Sequence, residues 1–166
     1  MMADIQDAIR KLEAGDKYAM TGIVTKEAVM PIDPEAAQEG RGHSVMIVES
    51  KPDLQNLMRE KLKNRGYRVL VYSSPDRAME RFASGELPAE CVVFSAPELG
   101  NSALDSFNQF GTDEHTKHLA AILLVDEKQQ HIVRNALTGP RRIMLSMPLK
   151  VRELRSALIR LLRQSD

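Results

Sequence analysis

Several polar side chains, of types that act as metal ligands or nucleophiles, directly follow short apolar runs of the sequence. Glu49 and Ser50 come after the run at 45–48, and Ser95 comes after the run at 91–94. A carboxylate can help to hold a hard cation, and a serine hydroxyl can accept a phosphoryl group from a kinase. A serine at the end of a strand more often only satisfies nearby backbone groups, so both interpretations of Ser95 stay open.

These side chains share one location if the apolar runs are strands of a single sheet. Five such runs alternate with segments of helical periodicity, a pattern typical of parallel strands covered by helices on both faces. We therefore predict a doubly wound α/β domain with strand order 2-1-3-4-5. Its ligand crevice would lie beyond the carboxyl ends of the first and third strands, where Glu49 and Ser95 stand. The predicted strands are 45–48, 68–72, 91–94, 120–125 and 143–145.

The fourth and fifth predicted helices lie in the C-terminal part of the domain. The fourth carries an apolar stripe and ends before Gly139 and Pro140, and the fifth begins near Leu149. The stripe of the fourth helix consists of Ile132, Val133, Ala136 and Leu137, and that of the fifth consists of Leu154, Leu158 and Leu161 or Leu162.

The first part of the chain does not follow this alternation. Apolar residues between 5 and 12 have the i, i+3, i+4, i+7 spacing of an amphipathic helix, and 18–29 could form a strand or a hairpin arm. Two prolines follow, and 35–43 has the polar character of a linker. We therefore divide the chain into a helix-plus-strand extension with its linker, 1–43, and a main domain, 44–166. The extension is too small to be stable alone and is expected to pack on the main domain or on another chain.

Composition and charge narrow the class of protein. The 166 residues suffice for one α/β domain with an appendage, and the apolar runs are too short to cross a bilayer. The single cysteine, Cys91, allows no intrachain disulfide and begins a predicted strand, which favours a core thiol and a reducing, cytoplasmic setting. A formal net charge of zero argues against a protein built to bind nucleic acid. The first forty residues are nonetheless acidic, and the chain from Glu127 onward is basic.

Four stretches resemble the receiver domains of bacterial two-component response regulators, and together they span 44–163. VMIVESKPDLQNLMREKLKNRGYRV resembles the first strand, first helix and second strand of that family, and SSPDRAMERF resembles its second helix. CVVFSAPELG stands where a receiver has its phospho-acceptor strand and the loop after it. SMPLKVRELRSALIRLL resembles the fifth loop and helix, with Met147 and Pro148 in place of a Lys-Pro pair. The resemblance implies a flavodoxin-like fold.

The resemblance also implies a phosphorylation pocket, and every position of that pocket is altered here. Ser95 stands in place of the Asp nucleophile, and Met147 in place of the lysine that neutralises the phosphate. Glu49 and Ser50 replace the pair of carboxylates that would hold Mg²⁺, and Val125 replaces a hydroxyl residue. Phosphoryl transfer needs a positioned nucleophile and compensating charge. We therefore expect a degenerate pocket without a catalytic residue, a bound metal or a cofactor.

Our leading hypothesis is a non-catalytic pseudo-receiver, a signalling domain that is not an enzyme. Its partner would be another signalling protein or a second copy of the chain, and no membrane contact is expected. The resemblance implies docking through the fourth helix, fifth strand and fifth helix, where a basic face could steer an acidic partner. The candidate docking residues are Arg134, Arg141, Arg142, Met144, Lys150, Arg152 and Arg155.

Three alternatives stay open. An unconventional phospho-accepting receiver would need Glu49, Glu98 or Asp126 to supply the missing carboxylates. A nucleic-acid-binding module would use the basic C-terminal surface, but aromatic residues make up only 4% of the chain and leave little for base stacking. A small-molecule sensor would use the altered crevice.

Overall fold

The computed structural model describes residues 38–163, in which five strands alternate with helices. The strands are β1 (Ser44–Val48), β2 (Arg68–Tyr72), β3 (Cys91–Ser95), β4 (Ala120–Val125) and β5 (Arg142–Ser146). The helices are α1 (Pro52–Lys63), α2 (Pro75–Ala83), α3 (Ala96–Leu99), α4 (Asn101–Thr112), α5 (Gln130–Asn135) and α6 (Val151–Arg163). None of these helices is long and apolar enough to span a membrane. The predicted helix and strand of the extension lie outside the described residues.

The five strands form one parallel sheet in the order β2-β1-β3-β4-β5, which confirms the predicted topology. Every residue of β3 and β4 is buried, as expected for continuous apolar runs covered on both faces. The edge strands β2 and β5 are only partly buried. Val48 pairs with Phe94, and Val125 pairs with Ser146. This register brings the carboxyl ends of the central strands to one edge of the sheet.

Alternate side chains of the strands fill two separate cores. Ile47 packs with α1 and α6, whereas Met46 packs on the other face with α2, α4 and α5. In this second core the ring of Phe110 meets those of Phe82 and Phe94 edge to face, with centroids 5.1 and 5.9 Å apart. Close-packed cores of this kind hold the loops at the carboxyl edge in fixed positions.

Three helices differ from the sequence prediction. The short α3 was not predicted, and α6 begins at Val151 rather than near Leu149. Helix α5 ends at Asn135, so the expected apolar stripe is cut short and Leu137 is exposed. The cause is Asn108 of α4, whose side-chain amide donates to the Asn135 carbonyl at 3.0 Å and accepts from the Leu137 N–H at 2.8 Å. These bonds satisfy backbone groups that another helical turn would otherwise use.

The residues just before β1 are attached to the main domain. Gly40 is buried, and its N–H donates to the Arg65 carbonyl at 2.7 Å. A Cβ at this position would come within 2.4 Å of the Tyr67 ring, so the close approach requires glycine. The boundary at residue 43 stays a prediction, but the end of the expected linker is part of the packed structure.

Candidate functional site

The carboxyl ends of β1 and β3 bring Glu49 and Ser95 into direct contact. Glu49 follows β1, Ser95 ends β3, and the pairing of Val48 with Phe94 places the two side by side. The Ser95 hydroxyl donates a hydrogen bond to Glu49 Oε1. Both residues are buried, with 0% and 1% of their surface exposed.

The remaining hydrogen-bonding groups of Glu49 are also occupied. Its second carboxylate oxygen, Oε2, accepts from the Lys51 backbone N–H at 2.9 Å, and its own N–H donates to the Tyr72 carbonyl at 3.0 Å. Its carbonyl accepts from the Gln55 side chain, which also contacts Ser73 Oγ at 3.1 Å. A buried carboxylate is tolerated only when it is hydrogen-bonded in this way. Lys51 and Gln55 were not predicted as site residues. Lys51 contributes only its backbone N–H, and Gln55 lies six positions after Glu49, where sequence spacing gives no sign of a contact.

The two other carboxylates near this edge are engaged elsewhere. Glu98 Oε2 lies 3.2 Å from Lys51 Nζ, in an ion pair that joins the segments after β1 and β3. Both side chains are about half exposed, so the pair contributes little stability. Asp126 Oδ1 accepts from the Lys128 N–H at 2.9 Å. The alternative of a phospho-accepting receiver relied on Glu98 and Asp126. In the structure Glu98 pairs with Lys51, and Asp126 accepts a hydrogen bond from the Lys128 N–H.

Apolar side chains occupy the last position of β4 and the position after β5. Val125 is the last residue of β4 and packs into the second core with 2% of its surface exposed. Its carbonyl accepts from the Met147 N–H at 2.8 Å, and the Met147 side chain packs against the first core. Ser50 is partly buried next to Glu49. A valine and a thioether therefore stand where the resemblance implies a hydroxyl and a lysine.

The seven candidate docking residues do not form one uniform face. Helix α5 packs on the second core and α6 on the first, with the edge strand β5 between them. Arg134, Lys150 and Arg152 are exposed, whereas Arg141 and Met144 are partly buried.

Arg142, which was predicted as a docking residue, is buried in the structure. It is 9% exposed, and its guanidinium lies 4.0 Å from the centre of the Phe107 ring. Nη2 donates to the Phe107 carbonyl, and Nε donates to the Leu137 carbonyl at 3.0 Å. Burial lowers the pKa of Arg142 to about 10. Arg142 therefore fastens the start of β5 to α4 and leaves little surface for a partner.

Arg155 is already paired within the described chain. Its Nη2 lies 2.7 Å from Glu39 Oε1, and its Nε donates to Glu39 Oε2 at 3.2 Å, so the two groups form a bidentate pair. Arg65 approaches the same carboxylate at 3.8 Å, and the Tyr67 hydroxyl donates to it at 3.3 Å. Burial, followed by the negative charge of Glu39, raises the pKa of Tyr67 above its usual range. Sequence spacing gave no sign of this pair, because its members are 116 positions apart.

The donor groups at the carboxyl edge do not fit the Mg²⁺ ion that the resemblance implies. Mg²⁺ requires an octahedral shell of oxygen ligands and carboxylate charge. Glu49 brings one buried carboxylate whose two oxygens already accept hydrogen bonds from Ser95 and Lys51. Within residues 38–163, no group of three or more His, Cys, Asp or Glu side chains is placed to hold a metal ion.

No protein-family model matches the chain, and no curated protein matches it either. Solved structures do match. The receiver domain of a sensor histidine kinase from Pseudomonas aeruginosa PAO1, with magnesium coordinated in its active-site cleft, is 23% identical at a TM-score of 0.60. The match covers 74% of this chain and 98% of that domain.

Two further structures show how widely the fold is shared. A response regulator receiver domain protein from Clostridium thermocellum is 16% identical at a TM-score of 0.59, over 74% of this chain and 97% of that one. An adenylate cyclase from Rhodopirellula baltica is 13% identical at a TM-score of 0.64, over 75% and 90% of the two chains. Because proteins with one fold can differ in activity, these likenesses carry the fold and not an activity. The described part of the chain has the fold of response-regulator receiver domains.

Proposed function

We propose that this chain is a pseudo-receiver, a domain of two-component-type signalling that accepts no phosphoryl group and acts through protein contacts. The observation that carries the proposal is the buried hydrogen bond between Ser95 and Glu49. It uses the hydroxyl at the acceptor position and the carboxylate at the metal position to satisfy each other.

A serine next to a carboxylate could in principle be an activated nucleophile. Here the Ser95 side chain is fully buried, and Glu49 is held by Lys51 and Gln55 as well as by Ser95. A phosphodonor would have to open this network before it could reach the hydroxyl. Met147 also stands where an active receiver has its charge-neutralising lysine, so the transferring group would lack that compensating charge.

The contact role is supported by the solvent-exposed charges on the β5 side of the domain. Arg134, Lys150 and Arg152 are exposed on three successive elements or loops around this edge. A surface of this sign accelerates encounter with an acidic partner and makes binding dependent on salt. The neighbouring structures include a receiver domain of a sensor histidine kinase and a response regulator receiver domain protein. We extend that setting to this chain as part of the proposal.

The phosphorylation half of the proposal is tested by incubating the chain with Mg²⁺ and a small phosphodonor such as acetyl phosphate. Intact-mass spectrometry should show only the unmodified chain, while an active receiver treated in parallel gains one phosphoryl group. A phosphoryl adduct on this chain that is lost in the Ser95→Ala or Glu49→Gln variant would contradict the proposal.

A further inference from the structure

The carboxylate of Glu39 lies among more positive charge than it can balance. Arg155 and Arg65 both approach it, at 2.7 and 3.8 Å, and the Glu39 side chain is only 10% exposed. This contact also fixes the place where the chain enters the described domain. The described part of the chain therefore begins beside α6.

The solvent side of α6 continues this positive charge. We define the arginine face as Arg152, Arg155, Arg160 and Arg163, which lie on one side of the helix at spacings of three to five residues. Arg152, Arg160 and Arg163 are exposed, and none of the three forms an ion pair with another residue of 38–163. Glu153 is the only acidic residue of α6.

The segment that leads into Glu39 has the complementary sign. Residues 1–37 contain seven acidic and four basic side chains. The nearest acids, Asp33 and Glu35, precede Glu39 by six and four positions. Further upstream, residues 5–12 carry the apolar stripe of a predicted amphipathic helix.

We propose that residues 1–37 dock on the arginine face of the same chain. Glu35 can reach up to about 14 Å from Glu39 at full extension. The eight-residue step from Arg155 to Arg163 on α6 is about 12 Å, so Glu35 can reach each of the four arginines. Leu12 precedes Glu39 by 27 positions, and a chain segment of that length can reach any part of α6.

Covalent attachment favours binding of residues 1–37 to the arginine face of their own chain over binding to a second copy of the chain. A covalent tether of this length gives an effective concentration in the millimolar range, which exceeds the concentration of free chains in dilute solution. Weak ion pairs thus become populated within one chain. Because the contact is electrostatic and exposed, it should weaken as salt rises.

The contact bears on partner binding as well, and this part rests on the proposed function. Arg152 belongs both to the arginine face and to the candidate docking residues. An acidic partner would therefore compete with the chain's own N-terminal segment for α6.

Paramagnetic relaxation in the full-length chain tests the contact directly. A nitroxide is attached through Ala14→Cys, and burial, which raises the pKa of the native Cys91 to about 12, keeps that thiol from being labelled. We expect the amide signals of Arg152, Ser156 and Arg160 to lose at least half of their intensity relative to the reduced label. Signals of the exposed Asn101 and Asp105 on α4, across the sheet, should keep theirs.

Two controls separate the outcomes. The Arg152→Glu, Arg160→Glu, Arg163→Glu triple variant should abolish the intensity loss, whereas Arg77→Glu, a charge reversal at an exposed position of α2, should preserve it. Equal intensities on α6 and α4 in the unreversed chain would overturn the proposal. So would a loss of equal size when isotope-labelled chain without nitroxide is mixed with nitroxide-labelled chain, because the contact would then be between copies. Phosphorylation plays no part in this readout, so its failure is distinguishable from failure of the proposed function.

Discussion

The carboxyl edge of the sheet and the solvent side of α6 both carry charged groups, but they use them in opposite ways. At the carboxyl edge the Glu49 carboxylate is buried and accepts bonds from Ser95 and Lys51. On α6, Arg152 and Arg160 remain exposed. Removing a partner of a buried charge destabilises the fold, whereas charge left in solvent contributes little stability and is free to attract a partner. The exposed arginines of α6, rather than the buried groups of the carboxyl edge, are accessible from solvent.

The same contrast occurs within a few residues of β5 and α6. Arg142 and Arg152 are both arginines of the basic C-terminal region, yet Arg142 is packed on Phe107 and Arg152 is in solvent. Replacing each should therefore have very different consequences for the unfolding free energy.

The Arg142→Ala variant should lose about 2–4 kcal/mol of unfolding free energy. It leaves the Phe107 and Leu137 carbonyls without their donors and opens a cavity beside the Phe107 ring. Urea unfolding measures the loss, with the exposed Arg134→Ala as the control expected to stay within about 0.5 kcal/mol. Similar small losses in both variants would show that Arg142 is not a structural residue.

The Ser95→Ala variant should lose about 1–3 kcal/mol, because it removes one donor from a buried carboxylate. Ser84→Ala is the matched control, since that hydroxyl is exposed and makes only a long bond of 3.4 Å to the Arg81 carbonyl. The same unfolding experiment compares the two variants. If Ser95→Ala were as stable as the unchanged chain, the buried hydrogen bond between Ser95 and Glu49 would contribute nothing to stability.

The thiol of Cys91 should make the fold sensitive to alkali. Burial raises its pKa from 9.0 to about 12, so the folded chain retains a proton that the unfolded chain releases. The stabilisation is fully present below pH 9 and is lost as pH rises toward 12, at roughly 1.4 kcal/mol per pH unit. Unfolding free energies measured between pH 8 and pH 10 should fall more steeply for the unchanged chain than for Cys91→Ala. Parallel curves for the two chains would contradict this assignment.

Reversing the exposed charges should have the smallest effect on stability. The Arg152→Glu, Arg160→Glu variant should unfold within about 0.5 kcal/mol of the unchanged chain, while losing the salt-dependent contacts of the arginine face. The comparison requires urea unfolding and the nitroxide experiment on the same variant. A loss of several kcal/mol would mean that these arginines are structural, like Arg142.

The sheet could be predicted from sequence because its signal is local. Continuous apolar runs such as 120–125 are typical of strands covered on both faces of a parallel sheet, and the structure has that strand at the same bounds. The early end of α5 could not be predicted in this way. It depends on Asn108, which lies 27 and 29 positions before the backbone groups it bonds.

The site was predictable in position but not in its bonding. Topology alone places Glu49 near Ser95, yet the bonds of Gln55 and the Glu39–Arg155 pair depend on tertiary packing. For Arg142 a signal was available. In a strand it must share a face with Met144, which packs against the second core, so an inward position followed from the alternation of side chains. The charge of the side chain argued against an inward position, because arginine is rarely buried.

Titration of the isotope-labelled chain with Mg²⁺ and beryllofluoride, which mimics an aspartyl phosphate, shows whether the pocket can still bind the ligands of an active receiver. If the pocket is closed by the Ser95–Glu49 pair, the amide signals of Glu49, Ser95 and Ala96 should not shift at low-millimolar ligand. Saturable shifts of these signals would contradict the account and make this chain an active receiver of unusual composition.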